Sequence, residues 1–288
     1  MKYGYYPGCS LHSTSAEYDI SFRAIAEKTG IELTEVPGWV CCGTSPAHAT
    51  SHLLSIALPI KNLALAESSG LNDLAVPCAA CFSRFKIAMH ETGKDARLKA
   101  DVKEVTGVEL QGKIKVVHPL EIFDAMDPAK AKELVKKDLS HLKVACYYGC
   151  LLTRPPKAMA FDDCEYPMSM DRILAKFGAK TVDWSYKTEC CGATFALTEV
   201  DAVLNLTHKI LENAKAVGAN AIAAACPLCQ SNLDTRQAEI EAKYNTSYNL
   251  PVLYFTQIIG LALGIEPKKL ALSKHFVPVE SVLSSVTG

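Results

Sequence analysis

Asp73-Leu74-Ala75-Val76-Pro77-Cys78-Ala79-Ala80-Cys81 reads as a short apolar strand that runs into a Cys-x-x-Cys turn, and Ala221-Ile222-Ala223-Ala224-Ala225-Cys226-Pro227-Leu228-Cys229 repeats it. The rest of the chain repeats around these two stretches. Tyr5-Tyr6-Pro7-Gly8-Cys9 falls on Tyr147-Tyr148-Gly149-Cys150, Cys41-Cys42-Gly43 on Cys190-Cys191-Gly192, and His118-Pro119-Leu120-Glu121 on Tyr254-Phe255-Thr256-Gln257. The first cysteine and the Cys-Cys pair are separated by 31 residues in one copy and 39 in the other, and 35 and 34 residues separate that pair from Cys-x-x-Cys. Four landmarks in one order at such similar spacings indicate an internal duplication.

Each copy alternates strands with helices. Strands are expected at 2–6, 31–36, 73–76 and 114–117, then at 142–147, 180–184, 221–225 and 252–254, with glycines at 30, 70, 178 and 218 closing the helices between them. Thr14 and Glu17 have the spacing of a capping box for the helix that ends before Gly30. This pattern predicts an α/β fold of two pseudo-symmetric units, each a small parallel sheet flanked by helices. The first unit is expected over 1–127, an exposed linker helix over 128–141, and the second unit with a C-terminal tail over 142–288. In a parallel sheet the segments that follow the strands gather along one edge. Every cysteine block follows a strand, so each set of five thiols is expected to converge.

Composition narrows the function. Hydrophobic residues make up 49% of the chain, and 30 basic against 31 acidic residues leave a formal charge of −1, so nothing draws the whole molecule to nucleic acid or an anionic membrane. The most apolar stretch, 250–265, has 16 residues and is interrupted by Pro251 and Gln257. It falls short of the ~20 that a membrane span requires, and reads as a core strand followed by a core helix. The opening Met1-Lys2-Tyr3-Gly4-Tyr5 lacks the apolar region of a secretory signal, which points to the cytoplasm. In a reducing compartment, 12 cysteines are better explained by metal than by disulfides.

A structural zinc site takes four ligands in a tetrahedron, and five converging cysteines overfill it. Two adjacent cysteines reach one small ion only with a distorted backbone, whereas a multi-iron core offers separate attachment points. The reading from residues alone is one iron–sulfur cluster per set, with zinc as the alternative. A cubane needs four thiolates, so a fifth is either spare or the mark of a larger core. Cys146, inside a predicted strand, reads as a buried apolar residue, and Cys164, in a loop, as a bland thiol.

The pattern Cys-x(31–39)-Cys-Cys-x(34–36)-Cys-x-x-Cys in tandem resembles the cysteine-rich CCG-domain family over essentially the whole chain. Tyr148-Gly149-Cys150-Leu151-Leu152-Thr153-Arg154-Pro155-Pro156, Ser169-Met170-Asp171-Arg172 and Pro251-Val252-Leu253-Tyr254-Phe255-Thr256-Gln257 are similar to the B subunits of heterodisulfide reductases. The resemblance implies two noncubane [4Fe-4S] clusters, one on Cys9, Cys41, Cys42, Cys78 and Cys81 and the other on Cys150, Cys190, Cys191, Cys226 and Cys229. It implies reduction of the coenzyme M–coenzyme B heterodisulfide to two thiols; the duplication itself suggests a small-molecule disulfide held between the halves, with each cluster giving one electron. Because the chain has neither a dinucleotide fingerprint nor a ferredoxin run, a partner must supply electrons. In heterodisulfide reductases these partners are the C and A subunits, a ferredoxin-like donor and a flavoprotein. Apolar patches or the tail after Pro267 are where such a partner would dock. Other members remain open: the iron–sulfur subunit of a lactate or glycolate oxidase or of a thiol-dependent fumarate reductase. So does a zinc-stabilised scaffold.

The anionic groups of such a disulfide call for cations near the thiols. Arg154 and Lys157 after Cys150, Lys187 before Cys190, Arg84 after Cys81, and His48 near the first Cys-Cys-Gly are the candidates, each with an ordinary solvated charge as the competing reading. His118 and Glu121 have the residue types of an acid–base pair, but their counterparts Tyr254 and Gln257 share only hydrogen bonding, which favours a structural role.

Overall fold

A computed structural model describes residues 1–44 and 46–283. Eight strands form two four-stranded sheets, all parallel. In the first, β1 (Lys2–Tyr5), β2 (Glu32–Glu35), β3 (Asp73–Ala75) and β4 (Lys115–Val117) stand in the order β2-β1-β3-β4. In the second, β5 (Lys143–Tyr147), β6 (Lys180–Thr181), β7 (Ala221–Ala224) and β8 (Val252–Tyr254) repeat it as β6-β5-β7-β8. The registers correspond, with Tyr5 beside Ala75 in one sheet and Cys146 beside Ala223 in the other. The two-unit α/β architecture is the expected one.

The two units share one continuous apolar core. Where they meet, the helix Ala16–Thr29 packs on the helix Phe255–Ala262. Phe22 lies edge-on to Phe123, which lies edge-on to Phe255. Deep in this seam the Ser21 and Thr256 hydroxyls hydrogen-bond at 2.7 Å. Arg172 of the second unit pairs with Asp124 of the first, and Phe161 packs against Phe82 and His118 across the boundary. Fully buried aromatic area of this kind dominates the energetics of an interface, so the halves act as one body.

Three local expectations change. The Thr14–Glu17 capping box does not form: Ser15 is the N-cap of the helix Ala16–Thr29, without a side-chain hydrogen bond. Glu17 turns inward instead, where burial raises its carboxyl, and it lies beside His275 and Lys274 of the tail. The segment 128–141 is helical only over Pro128–Leu134, capped by the Asp127 carboxylate, and its Ala131 is fully buried. Val135 is extended, and the Lys136 and Lys137 N–H groups bond to the Ala262 carbonyl. The tail after Pro267 folds onto its own chain. Leu270 seats against Gly260, where any added Cβ would lie 2.3 Å from its methyl carbon. Asp234 accepts from the Phe276 and Val277 N–H groups, and Gln257 bridges His275 and the Leu270 carbonyl. Among the described residues, no helix is long and apolar enough to cross a membrane.

Candidate metal centre at the seam

Each unit brings its five thiols to the carboxyl edge of its sheet by the same local devices. Gly8 and Gly149 follow the first and fifth strands in the left-handed region, with φ of +70° and +66°. A Cβ on Gly8 would sit 3.1 Å from Cys81 Sγ, and one on Gly149 would sit 3.0 Å from Cys229 Sγ. The glycines therefore turn the chain and clear space for a thiol. The Tyr6 hydroxyl donates to the Val40 carbonyl at 2.8 Å, and that of Tyr147 to the Glu189 carbonyl at 2.6 Å. These two carbonyls belong to the residues just before the two Cys-Cys pairs. The bonds also settle the register of the repeat, with Tyr6 equivalent to Tyr147.

The sulfurs follow the same plan. Cys9 and Cys41 Sγ lie 3.8 Å apart and Cys42 and Cys81 Sγ 3.1 Å apart; the equivalents Cys150 and Cys190 are 4.0 Å apart and Cys191 and Cys229 3.6 Å. Gly43 and Gly192 donate their N–H groups to Cys41 and Cys190 Sγ at 3.4 and 3.3 Å. Cys78 and Cys226 are the N-caps of the helices Ala79–Thr92 and Pro227–Thr235, where helix N–H groups and the dipole favour thiolate. The Cys226 thiol is lowered by a hydrogen bond from Cys229, then by the N–H groups of Cys229 and Leu228 and by that of Ala80 from the other unit. Cys190 is lowered to about 6, first by a hydrogen bond from Cys150 and then by the Gly192 N–H. In each set three thiols are buried and the first and second cysteines stand nearer the surface, Cys9, Cys41 and Cys190 exposed and Cys150 half-buried.

All five thiols of the second set line one cleft of about 480 Å³ measured to its open mouth, and Thr44 and Ala79 of the first unit complete its wall. Thr44 also lies 3.1 Å from Cys42 Sγ, so one residue touches the first set and lines the cleft of the second. Among the described residues, no group of three or more His, Cys, Asp or Glu side chains forms a cage for a single metal ion. The donor set is sulfur alone, softened by N–H groups. Ten such donors in two matched sets fit iron–sulfur ligation.

The remaining expected residues are placed as follows. Lys187 is fully buried and its Nζ bonds to Asp171 Oδ1 at 2.9 Å and to the Pro167 carbonyl, over the Tyr148 and Tyr166 rings. Arg154 bonds to Glu165 at 3.0 Å and to the Thr188 hydroxyl. Lys157 and His48 are exposed and Arg84 is half-buried. His118 caps the helix Pro119–Asp124: its Nδ1 accepts from Leu120 N–H, its Nε2 lies 2.8 Å from the Pro77 carbonyl, and Glu121 accepts its backbone N–H. Gln257 accepts the Tyr254 N–H in the same way, so this repeated pair is structural. Cys146 is fully buried in β5, and Cys164 lies in a loop beside Glu165.

Residues that sequence reading passed over include Asn62, which bonds to both the N–H and carbonyl of Val40, and Asn232, which donates to the Cys191 carbonyl. Each holds a Cys-Cys loop from a helix far along the chain, and no local motif signals that.

A duplicated half-sheet with ten thiols along the seam defines a tandem cysteine-rich protein. The chain belongs to the CCG cysteine-rich domain family, whose profile matches residues 3–86 and 144–234. It is 33% identical over 277 residues to the 8-methylmenaquinol:fumarate reductase membrane anchor subunit of Wolinella succinogenes, covering 96% of this chain and 97% of that one. It is 30% identical over 284 residues to the B subunit of the ferredoxin:CoB-CoM heterodisulfide reductase of Methanosarcina mazei, covering 96% and 94%. The crystal structure of a hypothetical protein from Helicobacter pylori has the same fold, with a TM-score of 0.77 at 15% identity over 96% of this chain, which spans 52% of that one.

Proposed function

We propose that this chain is the iron–sulfur subunit of a disulfide-reducing oxidoreductase, holding one multi-iron cluster in each five-cysteine set and acting on a heterodisulfide of the coenzyme M–coenzyme B type. The cleft that joins all five thiols of the second set to Thr44 and Ala79 of the first unit carries this reading. A reactant held there would lie within reach of both sets. The heterodisulfide reductase relative from Methanosarcina mazei supports the same substrate class.

Such clusters, when bound, supply electrons singly and offer iron to sulfur. The chain's own part is positioning. Tyr6 and Tyr147 fix the two Cys-Cys loops, and the Gly43 and Gly192 N–H groups offset thiolate charge. Leu151 and Leu228 give the cleft apolar walls beside the sulfurs. Arg154, bonded to Glu165, and Lys157, exposed on the short helix Pro156–Met159, follow Cys150 and are the cations offered to the anionic ends of the substrate. Electrons come from a ferredoxin-like partner and a flavoprotein, in the manner of the C and A subunits of heterodisulfide reductases.

A second reading follows from the fumarate reductase relative: the same clusters relay electrons within a complex whose substrate binds elsewhere. Anaerobically purified protein should contain about eight iron and about eight sulfide per chain. With a reduced viologen dye as donor, it should turn over the heterodisulfide faster than simple disulfides. Full iron content without disulfide turnover would favour the relay, and zinc alone would sink both.

A further inference from the structure

Six tyrosines are fully buried, and five of them donate a hydrogen bond: Tyr5 to Asp19, Tyr6 to Val40, Tyr147 to Glu189, Tyr148 to Asp171 and Tyr254 to Gln230. The sixth, Tyr18, does not. Its hydroxyl is buried and has no hydrogen-bond partner among the described residues, a cost that phenylalanine in the same place would avoid. Packing explains the ring, which lies flat on Tyr254 at 4.2 Å between centroids with Phe255 at its edge. Packing does not explain the hydroxyl.

Its surroundings do. The ionisable groups whose charge reaches the Tyr18 hydroxyl are Cys78 of the first set and Cys226 of the second. At that point the two Cys-x-x-Cys turns meet, with the Ala80 N–H directed at Cys226. Aligned on the glycines that close them, Gly30 and Gly178, the helix Ala16–Thr29 reaches further toward its N-terminus than the helix Ser169–Lys176, so Tyr18 has no helical counterpart in the second unit. The unpaired donor is therefore confined to one side of the seam.

We propose that Tyr18 is the hydrogen-bond donor between the two centres, its hydroxyl directed at a sulfur, ligating or inorganic, of the clusters held by Cys78 and Cys226. This rests on the iron–sulfur reading above. A hydrogen bond to such a sulfur stabilises the reduced, more negative state and raises the reduction potential.

The test compares the anaerobically loaded full-length protein with Tyr18→Phe by iron and sulfide analysis and redox titration followed by electron paramagnetic resonance. Tyr18→Phe should keep its iron and sulfide, shift a cluster to a more negative midpoint potential, and lose a deuterium coupling that the wild type acquires in D₂O. Equal potentials and couplings at equal iron content would overturn the proposal and leave the cluster reading standing. A wild type that binds no iron and sulfide would overturn both. If Tyr18→Phe does not fold, 3-fluorotyrosine at position 18 keeps the ring and strengthens the donor. It should move the potential in the positive direction, and no movement would overturn the proposal.

Discussion

The hydroxyl of Tyr147 donates to the carbonyl oxygen of Glu189 at 2.6 Å, tying the end of β5 to the residue before the second Cys-Cys pair. Its twin, Tyr6 on Val40, does the same in the first unit. Removing one such hydroxyl should cost about 1 kcal/mol and loosen only the loop it holds. Tyr147→Phe should therefore unfold at slightly lower denaturant and release the iron of the second set to a chelator roughly 5-fold faster, with the first set unchanged. Tyr6→Phe should show the reverse selectivity, and equal release from both sets would refute the idea of paired anchors.

Glycine substitutions separate backbone strain from crowding at the thiols. Gly30 and Gly149 both lie in the left-handed region, but a Cβ on Gly30 meets nothing within 4 Å, while one on Gly149 reaches Cys229 Sγ at 3.0 Å. Gly30→Ala should lose about 1 kcal/mol of stability from conformation alone and keep all its iron. Gly149→Ala should lose the iron of one set, and Gly8→Ala that of the other, as read by iron content per chain.

The strands and the two thiol sets were legible because each signal is local: an apolar run, a glycine that ends a helix, a cysteine after the strand. The parallel sheet then brought each set together. Where the partner lies far along the chain, the sequence was silent. Glu17 has the spacing of a capping residue, yet it faces His275 and Lys274 of a tail whose route no periodicity shows. Lys187 reads as a cation beside Cys190, but its neighbour in space is Asp171, across the longer loop of the second repeat. Tyr6 and Tyr147 were visible as repeated aromatics, and their hydrogen-bond partners were not.

His118 carries a pH signature. Burial pushes its imidazole from 6.5 down to about 4, against the opposing pull of the Pro77 and Ala225 carbonyls. Between those values the unfolded chain takes up a proton that the folded one refuses, so this residue's contribution to stability falls as pH falls from about 6.5 toward 4. Burial raises the Glu121 carboxyl, which acts in the opposite sense, so the comparison must be with a variant. His118→Asn retains a helix-capping side chain. From pH 7 to pH 5 the wild type should lose about 2 kcal/mol more than this variant in urea unfolding, and parallel losses would show that the imidazole does not titrate in this way.

Lys187 distinguishes a structural charge from a substrate-binding one. With its ammonium fully buried against Asp171 and the Pro167 carbonyl, it has no surface to offer an anion. Lys187→Met would leave Asp171 buried without its cation, held by the Tyr148 hydroxyl, and breaking a buried pair from one side costs about 3–5 kcal/mol. The variant should show a large loss of unfolding free energy, and whatever protein remains folded should keep its KM for the disulfide. Lys157 is the opposite case, exposed on the short helix Pro156–Met159 after Cys150. Lys157→Glu should leave stability within about 0.5 kcal/mol and raise KM for an anionic disulfide more than for a neutral one. If the two variants exchanged these phenotypes, the buried lysine would be the substrate's partner after all, and the Asp171 pair would have to open for it.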